Sequence, residues 1–214
     1  MNPDATTLNR SFSALRRFAV RRERPVEHCE LCSAELALEH GHLIELESRR
    51  LVCACDACAL LFPNQSDLKY RRVPRDVRAL PNFQLTEAQW DELLIPINMA
   101  FFFFSSPAKR VVALYPSPAG ATESLLELDA WNDIVRENQV LETMQPDVEA
   151  LLVNRLGLAH GGSVAEYYLA PIDMCYKLVG LIRANWRGLS GGTEVWREIK
   201  SFFDALKGKA KCST

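Results

Sequence analysis

The chain has 214 residues and a formal net charge of −2; 48% of it is hydrophobic and 24% charged. A chain of that length buries an apolar core without covalent staples, and its near-neutral charge carries none of the basic signature of a nucleic-acid or membrane-surface binder. No apolar run approaches the ~20 residues a membrane-spanning helix needs.

Residues 1–26 read as a basic amphipathic arm. Leu8, Phe12, Leu15 and Ala19 recur at helical spacing beside an arginine cluster, and Pro25 stops any helix. Arg16, Arg17, Arg21 and Arg22 are candidate contacts for an acidic partner surface; the plainer reading is a docked helix with a solvated arginine face. Arg16-Arg17-Phe18 has the look of a twin-arginine export signal, but charged residues stand where an apolar segment must follow. The expectation is a cytoplasmic protein, whose clustered thiols stay reduced and read as metal ligands rather than disulfides.

Residues 27–62 read as a four-cysteine metal-binding module. Leu43–Leu46 and Arg50–Val52 predict two short strands joined by a turn at Glu47, Ser48 and Arg49, and Asp56–Phe62 predicts a short helix ended by Pro63. Residues 63–85, with Pro63, Pro74 and Pro81, read as a surface linker. An α+β domain then spans 86–207. Thr86 and Gln89 fit a helix-capping pair. Strands are predicted at Asn98–Phe104, Arg110–Tyr115, Val148–Asn154 and Tyr167–Ala170, with Pro116–Gly120 as a loop. Asp129, Asp173 and Thr193 are read as caps of three helices, and 208–214 as a basic tail. Strand pairs close in sequence point to an antiparallel sheet. The fold class is therefore α+β: a small zinc-ribbon or treble-clef-like module, then an antiparallel-sheet domain with packed helices.

Five of the seven cysteines lie between positions 29 and 58. Cys29-Glu30-Leu31-Cys32 and Cys55-Asp56-Ala57-Cys58 are two C-x2-C pairs separated by 22 residues. Each tight turn aims two sulfurs at one point, and a hairpin brings the two turns together around a tetrahedral ion. A helix starting at the second pair would favour thiolate at Cys55 and Cys58. A closed set of four thiolates favours structural zinc, although iron in a rubredoxin-like site uses the same ligands. Cys53 is an alternate ligand to Cys55, a spare buried thiol, or a group for redox chemistry or metal transfer. His28, His40 and His42 could each replace one sulfur; loop histidine is the plainer reading.

Elsewhere the chemistry is thin. Ser117–Ser124 lacks the Gly-Lys-Ser/Thr of a phosphate-binding loop. Cys175 sits on an apolar helix face and reads as core. His160 falls in a glycine-rich loop, and Trp131, Trp186 and Trp196 read as helix core. The expectation is a protein without catalytic residues.

Cys29–Cys32, His42–Glu47, Leu51–Phe62, Tyr70–Pro74, Tyr115–Leu126 and Trp186-Arg187-Gly188 together resemble a bacterial family of unknown function. The resemblance covers most of the chain from about 28 to 206. It implies a place beside the genes of actinobacterial-type nickel–iron uptake hydrogenases, and so an accessory role with a hydrogenase subunit or maturation factor as partner; it supplies no activity and no catalytic residue. Three readings follow: a zinc-binding accessory protein, an iron-binding electron-transfer or metallocentre-delivery protein, and a zinc-ribbon nucleic-acid regulator. The net charge counts against the third.

Overall fold

A computed structural model describes residues 26–64, 69–124, 129–159, 164–188 and 190–212. Arg16, Arg17, Arg21, Arg22 and His160 lie outside the described residues. No helix among the described residues is long and apolar enough to cross a membrane.

The chain enters through a tight turn at Cys29–Ala34 and forms a hairpin of β1 (Gly41–Glu45) and β2 (Arg50–Ala54). A six-residue helix, α1 (Asp56–Leu61), follows, and Pro63 falls in a 3-10 turn, Phe62–Asn64. β3 (Tyr70–Arg72) then pairs with β1, giving a three-stranded antiparallel sheet in the order β2-β1-β3. β4 (Arg78–Ala79) instead joins the large sheet. The segment expected to be a surface linker thus carries one strand of each sheet, and Val73 and Val77 are buried in the main core. These strands are two and three residues long and mostly polar, too short to show the alternation that marks a half-buried strand.

The large sheet contains β5 (Met99–Ser105), β6 (Arg110–Ser117), β7 (Gly120–Glu123), β8 (Glu149–Asn154), β9 (Glu166–Pro171) and β10 (Lys211–Cys212). Its order is β10-β4-β9-β8-β5-β6-β7. Every pairing is antiparallel except the short β10–β4 ladder. The expected loop at Pro116–Gly120 is a hairpin, in which Pro116 lies opposite Ala121 and Ser117 opposite Gly120.

Helices cover both faces. α2 (Glu87–Glu92) and α3 (Asp129–Glu137) pack on one side, and α5 (Ile172–Asn185) and α6 (Gly192–Lys209) on the other; the one-turn α4 (Leu156–Ala159) follows β8. Burial on both faces explains the unbroken apolar run of β5, where an antiparallel strand with one wet face would alternate. Phe101 and Phe103 point toward α5 and α6, while Phe102 points the other way and stacks on Trp131 at 5.4 Å. Each fully buried phenylalanine contributes about 1.5–3 kcal/mol of transfer free energy.

Thr86 caps α2 as its sequence predicts: its hydroxyl accepts from Gln89 N–H, and the Gln89 side chain accepts from Thr86 N–H. Asp129 is the first described residue of α3, so its expected cap lies at the edge of the described residues. Two other caps differ: Pro171 is the N-cap of α5, and Gly191, at φ +87°, is the N-cap of α6. Asp173 sits in the first turn of α5, where its carboxylate is free for another partner.

The small sheet is not a separate lobe. Ile44 is part of the main core, and Leu51, its partner across the ladder, packs against it. Leu43, Val52 and Ala54 form a second cluster with Cys29, Cys58 and Ala59. The β1–β2 hairpin therefore has two apolar faces, one on the body and one on the cysteines.

Candidate metal centre

The first cysteine pair lies in a turn closed by backbone bonds. Ser33 N–H donates to Cys29 carbonyl (2.8 Å), Cys29 N–H donates to Ala34 carbonyl (2.8 Å), and Leu36 N–H donates to Glu27 carbonyl (2.9 Å). Ser33 takes the left-handed conformation at φ +61°, which reverses the chain. Glu30 locks the turn to β2: its N–H donates to Cys53 carbonyl (2.9 Å), and its carboxylate accepts from Cys53 N–H (2.9 Å) and Arg50 (2.5 Å). Those contacts, led by the Cys53 N–H, hold the Glu30 carboxyl below its usual value.

The second pair opens α1. Cys55 is its N-cap, with its carbonyl accepting from Ala59 N–H at 2.8 Å, and Cys58 lies in the first turn. The order of knuckle, hairpin and short helix is that of a treble-clef-like module.

The four sulfurs, Cys29, Cys32, Cys55 and Cys58, all lie within 4.8 Å of one another. Cys32 and Cys55 are 3.6 Å apart, against the edge of about 3.8 Å that a tetrahedron of four sulfurs at 2.3 Å from zinc requires. Four thiols converging at that spacing fit a four-coordinate soft or borderline ion. Cys29 and Cys58 are 1% and 7% exposed, whereas Cys32 is exposed and Cys55 half-buried, so one edge of the site meets solvent.

The thiols do not share one acidity. Burial pushes Cys29 up, but N–H donors of Cys55, Leu31 and Cys32 outweigh it and bring the thiol down to about 6. Burial first, then the neighbouring thiols, push Cys58 up to about 12. Cys58 is thus harder to ionise than Cys29, a direction opposite to the one the helix N-terminus alone would give it.

Cys53 does not join this group. It lies on the other face of β2 and is grouped with His40 and His42, all three within 4.8 Å of one another. His28 is exposed and belongs to neither group. Cys175 is fully buried on α5, and burial raises its thiol, as expected of core.

The significance of His40 and His42 was hidden by register. The turn occupies residues 46–49, which sets His42 opposite Cys53. A turn centred on Ser48 would set His42 opposite Ala54 instead, and a slip of one residue exchanges the two faces of the strand.

The sequence pattern of the family of unknown function DUF5947 matches residues 28–210. The chain belongs to the DUF5947 family. The match runs from the cysteine module through α6 and stops short of β10. No curated protein and no solved structure matches this DUF5947 chain.

Proposed function

We propose that this DUF5947 protein is a non-enzymatic, cytoplasmic accessory protein, in which structural zinc held by Cys29, Cys32, Cys55 and Cys58 fixes the first module for protein partner binding. The observation that carries this reading is the convergence of four sulfurs at tetrahedral spacing, on a module whose hairpin shares its other face with the main core. Zinc bound there clamps the knuckle to the helix, and such sites contribute on the order of 10 kcal/mol to folding. The resemblance drawn from the sequence motifs supports a hydrogenase subunit or maturation factor as partner, with Arg16, Arg17, Arg21 and Arg22 offered to an acidic surface. Affinity purification from cells that express both tests the partner: hydrogenase components are expected with the native chain, and their absence removes this part of the reading.

One observation favours a second reading, an iron-loaded site for electron transfer or metallocentre delivery. Cys32 is exposed, so a metal at this centre is close to solvent and to a docked partner. Iron would announce itself by sulfur-to-metal charge-transfer bands; zinc leaves the protein colourless.

A further inference from the structure

The face of the β1–β2 hairpin away from the four cysteines carries a second convergent group. His42 and Cys53 are direct partners across the ladder, so their side chains stand side by side on one face. His40 precedes β1, and its ring centroid is 4.9 Å from that of His42, with the rings tilted by 56°.

Both rings are already oriented. His40 Nδ1 lies 2.9 Å from the carbonyl oxygen of Ala37, which can only accept, so Nδ1 carries the proton. The remaining nitrogen, Nε2, is buried and has no hydrogen-bond partner among the described residues, and the side chain is 8% exposed. His42 Nδ1 donates to Asp173 Oδ2 at 2.8 Å, which leaves its Nε2 as an acceptor. A carboxylate or carbonyl on one imidazole nitrogen, with the other left as a bare lone pair, is the arrangement that prepares histidine to bind metal.

We propose that His40, His42 and Cys53 form a second metal site, for a divalent transition ion such as zinc, cobalt or nickel, distinct from the four-cysteine centre. Two imidazoles and a thiolate select such ions over magnesium or calcium. Their donor atoms lie within 4.8 Å of one another; tetrahedral binding draws them to about 3.3–3.6 Å, a closure that side-chain rotation supplies. Three protein ligands leave one position open, as in sites whose ion exchanges or takes an outside ligand. His40, His42 and Asp173 line a cavity of about 520 Å³, whose wall also carries Arg75, Lys177 and Lys209. We assign the open position to the side of this cavity, which His40 and His42 line and Cys53 does not, with water or a small anionic donor completing the coordination. Asp173 is a positioning residue that holds the His42 ring. The two sites share no ligand, so this proposal stands whether or not the four-cysteine reading does.

The test is a cobalt(II) titration of the full-length chain, stripped of metal and kept anaerobic, read by visible absorption and metal analysis. The native chain is expected to bind two equivalents. Cys29→Ser removes the four-sulfur equivalent and leaves the other. His42→Ala and Cys53→Ser remove the second and leave the first, with far-ultraviolet circular dichroism unchanged. Asp173→Asn, which keeps the shape of the side chain, weakens only the second equivalent, by about 10–100-fold. A single equivalent in the native chain overturns the proposal. So does a second equivalent that survives both His42→Ala and Cys53→Ser, which would mark it as adventitious.

Discussion

Val52 and Cys53 are neighbours in the chain that serve opposite faces of one strand. Val52 is fully buried among Cys29, Cys58 and Ala59, while Cys53 is grouped with His40 and His42. The strand alternation that separates them divides the five clustered cysteines into a set of four and a single thiol.

This division predicts unequal responses to substitution. Cys58→Ser should cost the chain the four-sulfur metal equivalent and lower its thermal midpoint, since binding of order 10 kcal/mol couples to folding of the module. Cys53→Ser should keep that equivalent and lose only the second, with a smaller fall in the midpoint. Cobalt(II) absorption beside calorimetry tells which equivalent each variant keeps; loss of the four-sulfur equivalent in both variants would contradict the division.

The metal-free chain should show a pH signature from the same thiols. The ordinary thiol value is 9.0, and Cys29 is held at about 6. Its contribution to stability is full above 9, shrinks as pH falls, and is lost below about 6. Cys58 is raised to about 12, so its contribution is full below 9 and fades as pH rises through about 12. The urea midpoint of the metal-free chain should therefore rise from pH 6 to 9 and fall beyond it, while a flat profile would remove the assignment.

Thr86→Ala should lower unfolding free energy by about 1 kcal/mol, through loss of the hydroxyl that accepts from Gln89 N–H. Urea denaturation should show this with an unchanged slope, because the helix is held by Trp90 and Leu93 in the core as well.

Gly191 has φ +87°, and a Cβ there would lie 2.8 Å from Val195 Cγ1 and 3.1 Å from the Trp186 ring. Gly191→Ala should destabilise the protein by about 1–3 kcal/mol, from backbone strain with the clash added. Trp186 fluorescence should shift with it, since the turn places this ring against Trp196 at 6.3 Å.

Much of the candidate centre was legible in the chain because it depends on local spacing: two C-x2-C turns, a hairpin between them and a helix after the second. Thr86 with Gln89 was legible for the same reason. What stayed hidden depends on distant residues. The bond between His42 and Asp173 joins positions 131 apart in the chain, and as a first-turn aspartate Asp173 resembles an ordinary helix cap. Arg155 was equally hidden. It is 2% exposed, pairs with Glu87 and lies over the Trp90 ring at 4.8 Å, in a strand-end position that no periodicity marks. β3 and β4 escaped because two or three polar residues carry no pattern until a neighbouring strand supplies one.

The most direct test of the account is metal content with a visible spectrum, on full-length protein purified without oxygen. The account predicts a colourless protein with zinc bound, one equivalent of which disappears in Cys58→Ser. Iron with sulfur-to-metal charge-transfer bands, or a folded native chain free of metal, would contradict it.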